Sequence, residues 1–183
     1  MIRSPLLGFA MALALATGAA AQEPGAANRA AMKKLDFLVG KWTGDATISR
    51  GPNDKTAVKQ TEDVKLKLDG TVLLIEGTGR GQLPMKTEEG VVFNALAIVS
   101  YDSETKKYAI NAHTKDGRST TAELKPTEKG FEWGFKDPVR GTQVRYTGTL
   151  TDKGEWNEVG DYSQDGKAWT RFFEMTLTKA KEK

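Results

Sequence analysis

Residues 35–49 read LDFLVGKWTGDATIS, an apolar run that ends at Gly40 and gives way to a large aromatic set between two glycines. From Trp42 onward the residues alternate. Trp42, Gly44, Ala46 and Ile48 fall on one side, and Lys41, Thr43, Asp45 and Thr47 on the other. That period of two is the signature of a strand with one dry and one wet face. Gly40 permits a backbone turn into the strand, and Gly44 leaves space for a neighbouring side chain to cross it. Burying Trp42 is worth about 2 to 3 kcal/mol by area. Gly40, Trp42 and Gly44 therefore read as a structural motif and not a catalytic one.

Upstream of the motif, AMKKLDFLVG at residues 31–40 is long enough for one or two helical turns, which would lay Leu35, Phe37, Leu38 and Val39 on a surface below. Downstream, every segment reads as strand or turn. In TAVKQTEDVKLKL (56–68) Val58, Val64, Leu66 and Leu68 oppose Lys59, Thr61, Asp63, Lys65 and Lys67, and Asp69-Gly70 turns the chain back. TVLLIEGTGRGQL (71–83) follows, its glycines at 77, 79 and 81 reading as strand curvature rather than a phosphate loop, since no helix follows. Seven more strands come after it, separated by short turns such as Asp116-Gly117 and Gln164-Asp165-Gly166. Tight turns between consecutive strands favour a meander over the long crossings of a sandwich. The fold class is thus all-β, an antiparallel up-and-down barrel of about ten strands with a short helical lead-in. A barrel of that size is wider than its side chains readily fill, which implies an internal cavity.

The first residues stand apart from this domain. A basic start at Arg3, a short apolar core, and Ala19-Ala20-Ala21 before Gln22 form a secretory signal peptide over residues 1–21. Its apolar run falls short of the roughly 20 residues of a spanning helix and contains Pro5. Residues 22–31 are small and polar and read as a disordered lead-in, leaving 32–183 as one barrel domain. A periplasmic or secreted location follows, with no integral membrane association. The chain has no cysteine, which excludes disulfides, thiolate metal sites and a cysteine nucleophile. Loss of residues 1–21 removes Arg3 and no acid, so the net charge falls from +3 to +2. That charge is too small and too evenly mixed in sign to indicate nucleic acid.

The Gly40-x-Trp42 pair after a helical lead-in resembles the signature of the calycin superfamily, the lipocalins and their relatives. In that superfamily the tryptophan plugs one barrel end and packs against a basic residue of the last strand. The resemblance implies Arg171 as that residue, with Lys179 the weaker choice. The longer run from Phe37 to Gly44 is most similar to an uncharacterised family of exported bacterial lipocalin-like proteins, and more distantly to nitrobindin-type ten-stranded haem barrels. Those barrels hold haem iron through a histidine in the C-terminal part of the chain. Here the final strands contain none, and the single histidine, His113, is mid-chain. No cofactor is therefore expected.

Functional residues are sought in the last three strands. Trp156, Glu158, Gly160 and Tyr162 share one strand face, Trp169, Arg171, Phe173, Met175 and Leu177 share another, and Tyr146 lies on the strand before them. With these faces turned inward, a Glu158 and Arg171 pair would sit among Tyr146, Trp156, Tyr162 and Phe173. Such a site suits a small apolar or amphipathic molecule with one polar head. Two other readings remain open: a lipocalin-like isomerase or cyclase using Glu158, Arg171 and a tyrosine, and a filled barrel that binds another protein. Monomer or weak dimer is the expected state. His113 shares a face with Ala109 and Asn111 and reads as exposed, and one histidine without cysteine offers no metal site.

Overall fold

The computed structural model describes residues 23–51, 53–83 and 86–181. The signal peptide expected at residues 1–21 lies outside them. Ten antiparallel strands run in sequence: β1 (Gly40–Gly51), β2 (Asp54–Lys67), β3 (Val72–Gln82), β4 (Glu89–Asp102), β5 (Lys107–Thr114), β6 (Ser119–Pro126), β7 (Gly130–Lys136), β8 (Gln143–Leu150), β9 (Trp156–Ser163) and β10 (Thr170–Lys179). Each pairs with its sequence neighbours, and β10 returns to β1 to close the barrel. This is the up-and-down meander expected from the turn spacing. Closure leaves no unpaired sheet edge.

Alternation decides the faces. On β1, Trp42 and Ala46 are buried while Lys41, Thr43 and Asp45 are not. On β2, Val58, Gln60, Glu62 and Val64 are all buried, so the inward row carries two polar residues between two valines. Leu66 and Leu68, expected on the dry side with the valines, lie in the last part of β2 and just after it and are exposed.

Gly40 has φ +128°, a backbone that favours glycine, and the aliphatic stem of Lys179 lies against it. The Lys179 ammonium then reaches 5.2 Å from the centre of the Trp42 ring. The basic partner of the plug is therefore Lys179 and not Arg171. Register explains the exchange, because Trp42 pairs directly with Lys179, whereas Arg171 stands at the other end of β10. Gly44 also serves a purpose different from the one expected. A Cβ there would fall 2.1 Å from the Thr176 carbonyl oxygen, so backbone, and not a crossing side chain, demands the glycine.

A helical segment covers the plugged end. The 3-10 helix Lys33–Leu38 buries Leu35 and Leu38, and the Trp42 indole N–H donates to the Leu38 carbonyl at 2.7 Å. Preceding it, α1 (Ala26–Met32) occupies most of the stretch expected to be disordered. Seven residues are too few for a helix to persist alone. Docking holds this one: Asn28 Nδ2 donates to the Tyr101 carbonyl at 2.5 Å, the Tyr108 hydroxyl donates to the Ala31 carbonyl at 2.9 Å, and Met32 is buried. Replacing Trp42 by Ala should cost about 3 to 5 kcal/mol, as for other large aromatics removed from a core. Lys179→Ala should cost no more than about 1 kcal/mol. Urea denaturation of the two variants measures both, and an unchanged midpoint for Trp42→Ala would show that the plug bears no load.

Candidate ligand-binding site

Inside the barrel lies a cavity of about 450 Å³. Its origin is a mismatch of side-chain size around the wall. On β3 to β5 the inward positions include Gly77, Ala95, Ala97 and Ala112, whereas β7, β8 and β10 present Phe131, Trp133, Phe135, Tyr146, Phe172 and Phe173. Small residues on one side leave the volume that the aromatics on the other do not fill. Trp133 and Tyr146 stack at 4.4 Å with planes 10° apart, giving that wall a flat apolar surface.

Beneath the cavity, Trp42 and Trp156 meet edge to face with ring centres 5.7 Å apart. Above this plug are the polar groups of the floor. Glu62 and Gln60 project from β2 across the neighbouring glycines of β3: a Cβ on Gly77 would lie 2.7 Å from both Glu62 carboxyl oxygens, and one on Gly79 would lie 2.7 Å from Gln60 Oε1. The glycines read as curvature thus also make room for two buried polar side chains. Gln60 Nε2 donates to Glu62 Oε1 at 2.6 Å, which fixes Glu62 in place. From β9, Glu158 faces the same cavity and makes no side-chain hydrogen bond among the described residues. Trp156 Nε1 lies near enough to hold the Glu158 carboxyl down somewhat, yet it is buried without completing a hydrogen bond. Arg50, Thr114, Arg118 and Thr120 line the opposite, open end.

Of the residues expected to bind ligand, Tyr146, Trp156, Glu158 and Phe173 line the cavity. Tyr162 stands behind the lining, its ring 6.2 Å from that of Phe172. Arg171 is elsewhere, and no Glu158–Arg171 pair exists. A β-bulge between Arg171 and Phe173 makes Phe172 an extra residue, so Arg171 pairs opposite Asp161 on the outer face while Phe173 keeps its inward direction. Arg171 Nε donates to Asp161 at 2.6 Å, Arg145 Nε donates to the same carboxylate at 3.3 Å, and Arg145 lies 4.0 Å over the Trp169 ring. Burial raises Asp161, but the two guanidinium groups outweigh it and hold its carboxyl below the ordinary range. Strand parity alone cannot reveal such a bulge. Gln60 and Glu62, by contrast, share the parity of Val58 and Val64 and could have been placed inside on that ground. His113 is exposed on the outer face.

The floor is electrostatically unusual. Burial pushes Glu62 up to about 7 against the lowering effect of Gln60, and burial together with the nearby Glu62 pushes Glu158 up to about 8. Burial likewise raises Tyr146. A second depression, larger but open, is lined by charges of both signs, among them Asp45, Lys59, Arg80 and Glu89, and Lys59 is paired with Asp45. Among the described residues no three His, Asp or Glu side chains gather as a metal site, and no helix is long and apolar enough to cross a membrane.

No family model and no curated protein matches this chain. In three dimensions it is similar to the S-type phycobiliprotein lyase from Guillardia theta, with a TM-score of 0.56 over 84% of this chain and 94% of that one. The two sequences are 11% identical, so the likeness establishes a shared fold and goes no further.

Unfolded carboxyls titrate near 4.3, whereas Glu62 and Glu158 hold their protons to about 7 and 8 in the fold. Between those limits the native state binds more protons than the unfolded chain, so raising the pH lowers stability. Thermal unfolding should therefore occur at lower temperature at about pH 8.5 than at about pH 5.5, by several degrees. The Glu62→Gln, Glu158→Gln double variant should flatten this dependence. An equal slope in the variant would mean that both carboxylates are already ionised in the native protein at pH 5.5.

Proposed function

We propose that this protein is an exported carrier or receptor barrel that binds one small, mostly apolar molecule in its interior. The observation that supports this reading most directly is the pairing of an aromatic-walled cavity with a floor where the buried Trp156 indole N–H completes no hydrogen bond and the Glu158 carboxyl faces the cavity. A filled core would satisfy or exclude such groups, because an unmade hydrogen bond at a buried atom costs about 1 to 3 kcal/mol. The volume falls within the roughly 300 to 1,000 Å³ of small-molecule sites. Hydrophobic burial against the Trp133–Tyr146 stack supplies affinity, and the floor orients the polar head. The likeness in three dimensions to a phycobiliprotein lyase is in keeping with this reading.

Export follows from the signal peptide read over residues 1–21. The protein-interaction alternative has less to draw on: the large hydrophobic residues that are exposed, Leu66, Leu68, Leu96, Ile98 and Val139, are distributed over strands, a turn and a loop.

Native mass spectrometry after gentle purification should show the mature chain with an additional bound mass, or the emptied protein should take up an uncharged environment-sensitive dye with a blue shift. Ala112→Trp would fill the space between Ala97 and Thr120, its partners on β4 and β6. It should lower dye affinity at least about tenfold while leaving a cooperative unfolding transition. Undiminished binding by this variant would place the dye elsewhere and overturn the interior site.

A further inference from the structure

We infer that the floor of the cavity is a cation site, and that the ligand enters with a protonated amine, or an equivalent N–H cation, foremost. This rests on the interior-binding reading and names the chemistry of the head. Three observations converge. Glu158 is 9% exposed, faces the cavity and makes no side-chain hydrogen bond among the described residues. Trp156 Nε1, on the same strand, is a buried donor that lies close to the Glu158 carboxyl but completes no hydrogen bond. Glu62 is held at the cavity by Gln60 over the space left by Gly77, so a second carboxyl is fixed where it serves no ion pair in the protein.

The charged and titratable groups that line the cavity are few. Glu62 comes from β2, Glu158 from β9 and Tyr146 from β8, while Arg50 at the end of β1 and Arg118 just before β6 stand at the mouth. Arg118 is engaged by Asp116 at 2.8 Å. The linings from β4, β5, β7 and β10 are apolar apart from Thr114. No cation of the described protein therefore reaches the floor, and its fixed charge is of one sign.

An ammonium group there satisfies everything the fold leaves open. Its N–H groups donate to Glu62 and Glu158, and its charge favours ionisation of both. Once ionised, Glu158 can accept from the Trp156 indole N–H as well. An anionic head meets the opposite situation, since two carboxyls would have to stay protonated beside it. A neutral hydroxyl fits but gains no charge-assisted bond. Binding of a cation must also release protons, because the empty floor carries them at neutral pH and the occupied floor does not.

The test uses three probes with one apolar body: naphthylethylamine, naphthylethanol and naphthylpropanoate, titrated calorimetrically into the mature protein at about pH 7.5. The amine should bind at least about tenfold more tightly than the alcohol, and the carboxylate more weakly than the alcohol. Amine binding should release protons, seen as a heat that differs between phosphate and Tris buffers, and should tighten between about pH 6 and pH 8.5. Glu158→Gln and Glu62→Gln, each of which removes a carboxyl that an ammonium would ionise, should reduce the amine's advantage over the alcohol to within about threefold. If the alcohol binds as well as the amine, or the amine's advantage survives both substitutions, the cation site is refuted and interior binding stands. If none of the three probes binds, both fall.

Discussion

Everything in this barrel depends on how β1 meets β10. A closed sheet needs its first and last strands to find each other over the whole length of the domain, and the meeting point is made unambiguous by contact of backbone with backbone. At Gly44 the Thr176 carbonyl oxygen occupies the place that a side chain would take. Two residues earlier, Trp42 pairs with Lys179 across the seam, drops its ring onto Trp156, and donates its indole N–H to the covering helical segment. One side chain thus joins the seam, the plug and the lid. A slip of one residue would turn Trp42 outward and break all three at once.

Above that plug the protein forgoes stability it could have had. Two carboxyls stand in an apolar chamber with neither a lysine nor an arginine beside them, and replacing such groups by apolar ones of similar size commonly stabilises a fold. Glycines at 77 and 79 compound the cost, since glycine weakens a strand interior and the space these two leave is taken up by Glu62 at one and by Gln60 and Val58 at the other. Perturbed acids clustered in a cleft are a mark of functional sites. The outer face offers the contrast: Asp161 is held by two arginines and is lowered, as a carboxylate in a purely structural ion pair should be.

The fold was legible in the sequence because it is written in short periods. Alternation and turn residues located ten strands, and the tight connections left a meander as the simplest order. The site was less legible, for two different reasons. Gln60 and Glu62 were hidden by their polarity alone: a polar residue on a dry face looks like noise until parity is followed without exception. Arg171 was lost to geometry, because one extra residue at Phe172 shifts everything before it to the opposite face, and no local composition announces the shift. Helix α1 was missed for a third reason. Its stability lies in hydrogen bonds to Tyr101 and Tyr108, more than seventy residues away.

The order of strands also bears on how the chain reaches this state. Nine of the ten pairings join neighbours in sequence, and each can form as a hairpin as soon as its turn closes. Only the seam between β1 and β10 is remote, with Trp42 and Lys179 separated by most of the domain. A chain with nine hairpins formed would be an open, twisting ribbon with two free edges and its acidic floor still in water. The two carboxyls lose their hydration only when the ribbon rolls shut. Folding at high pH should therefore meet its electrostatic barrier late, at barrel closure, while the hairpins themselves form at rates almost indifferent to the titration of Glu62 and Glu158.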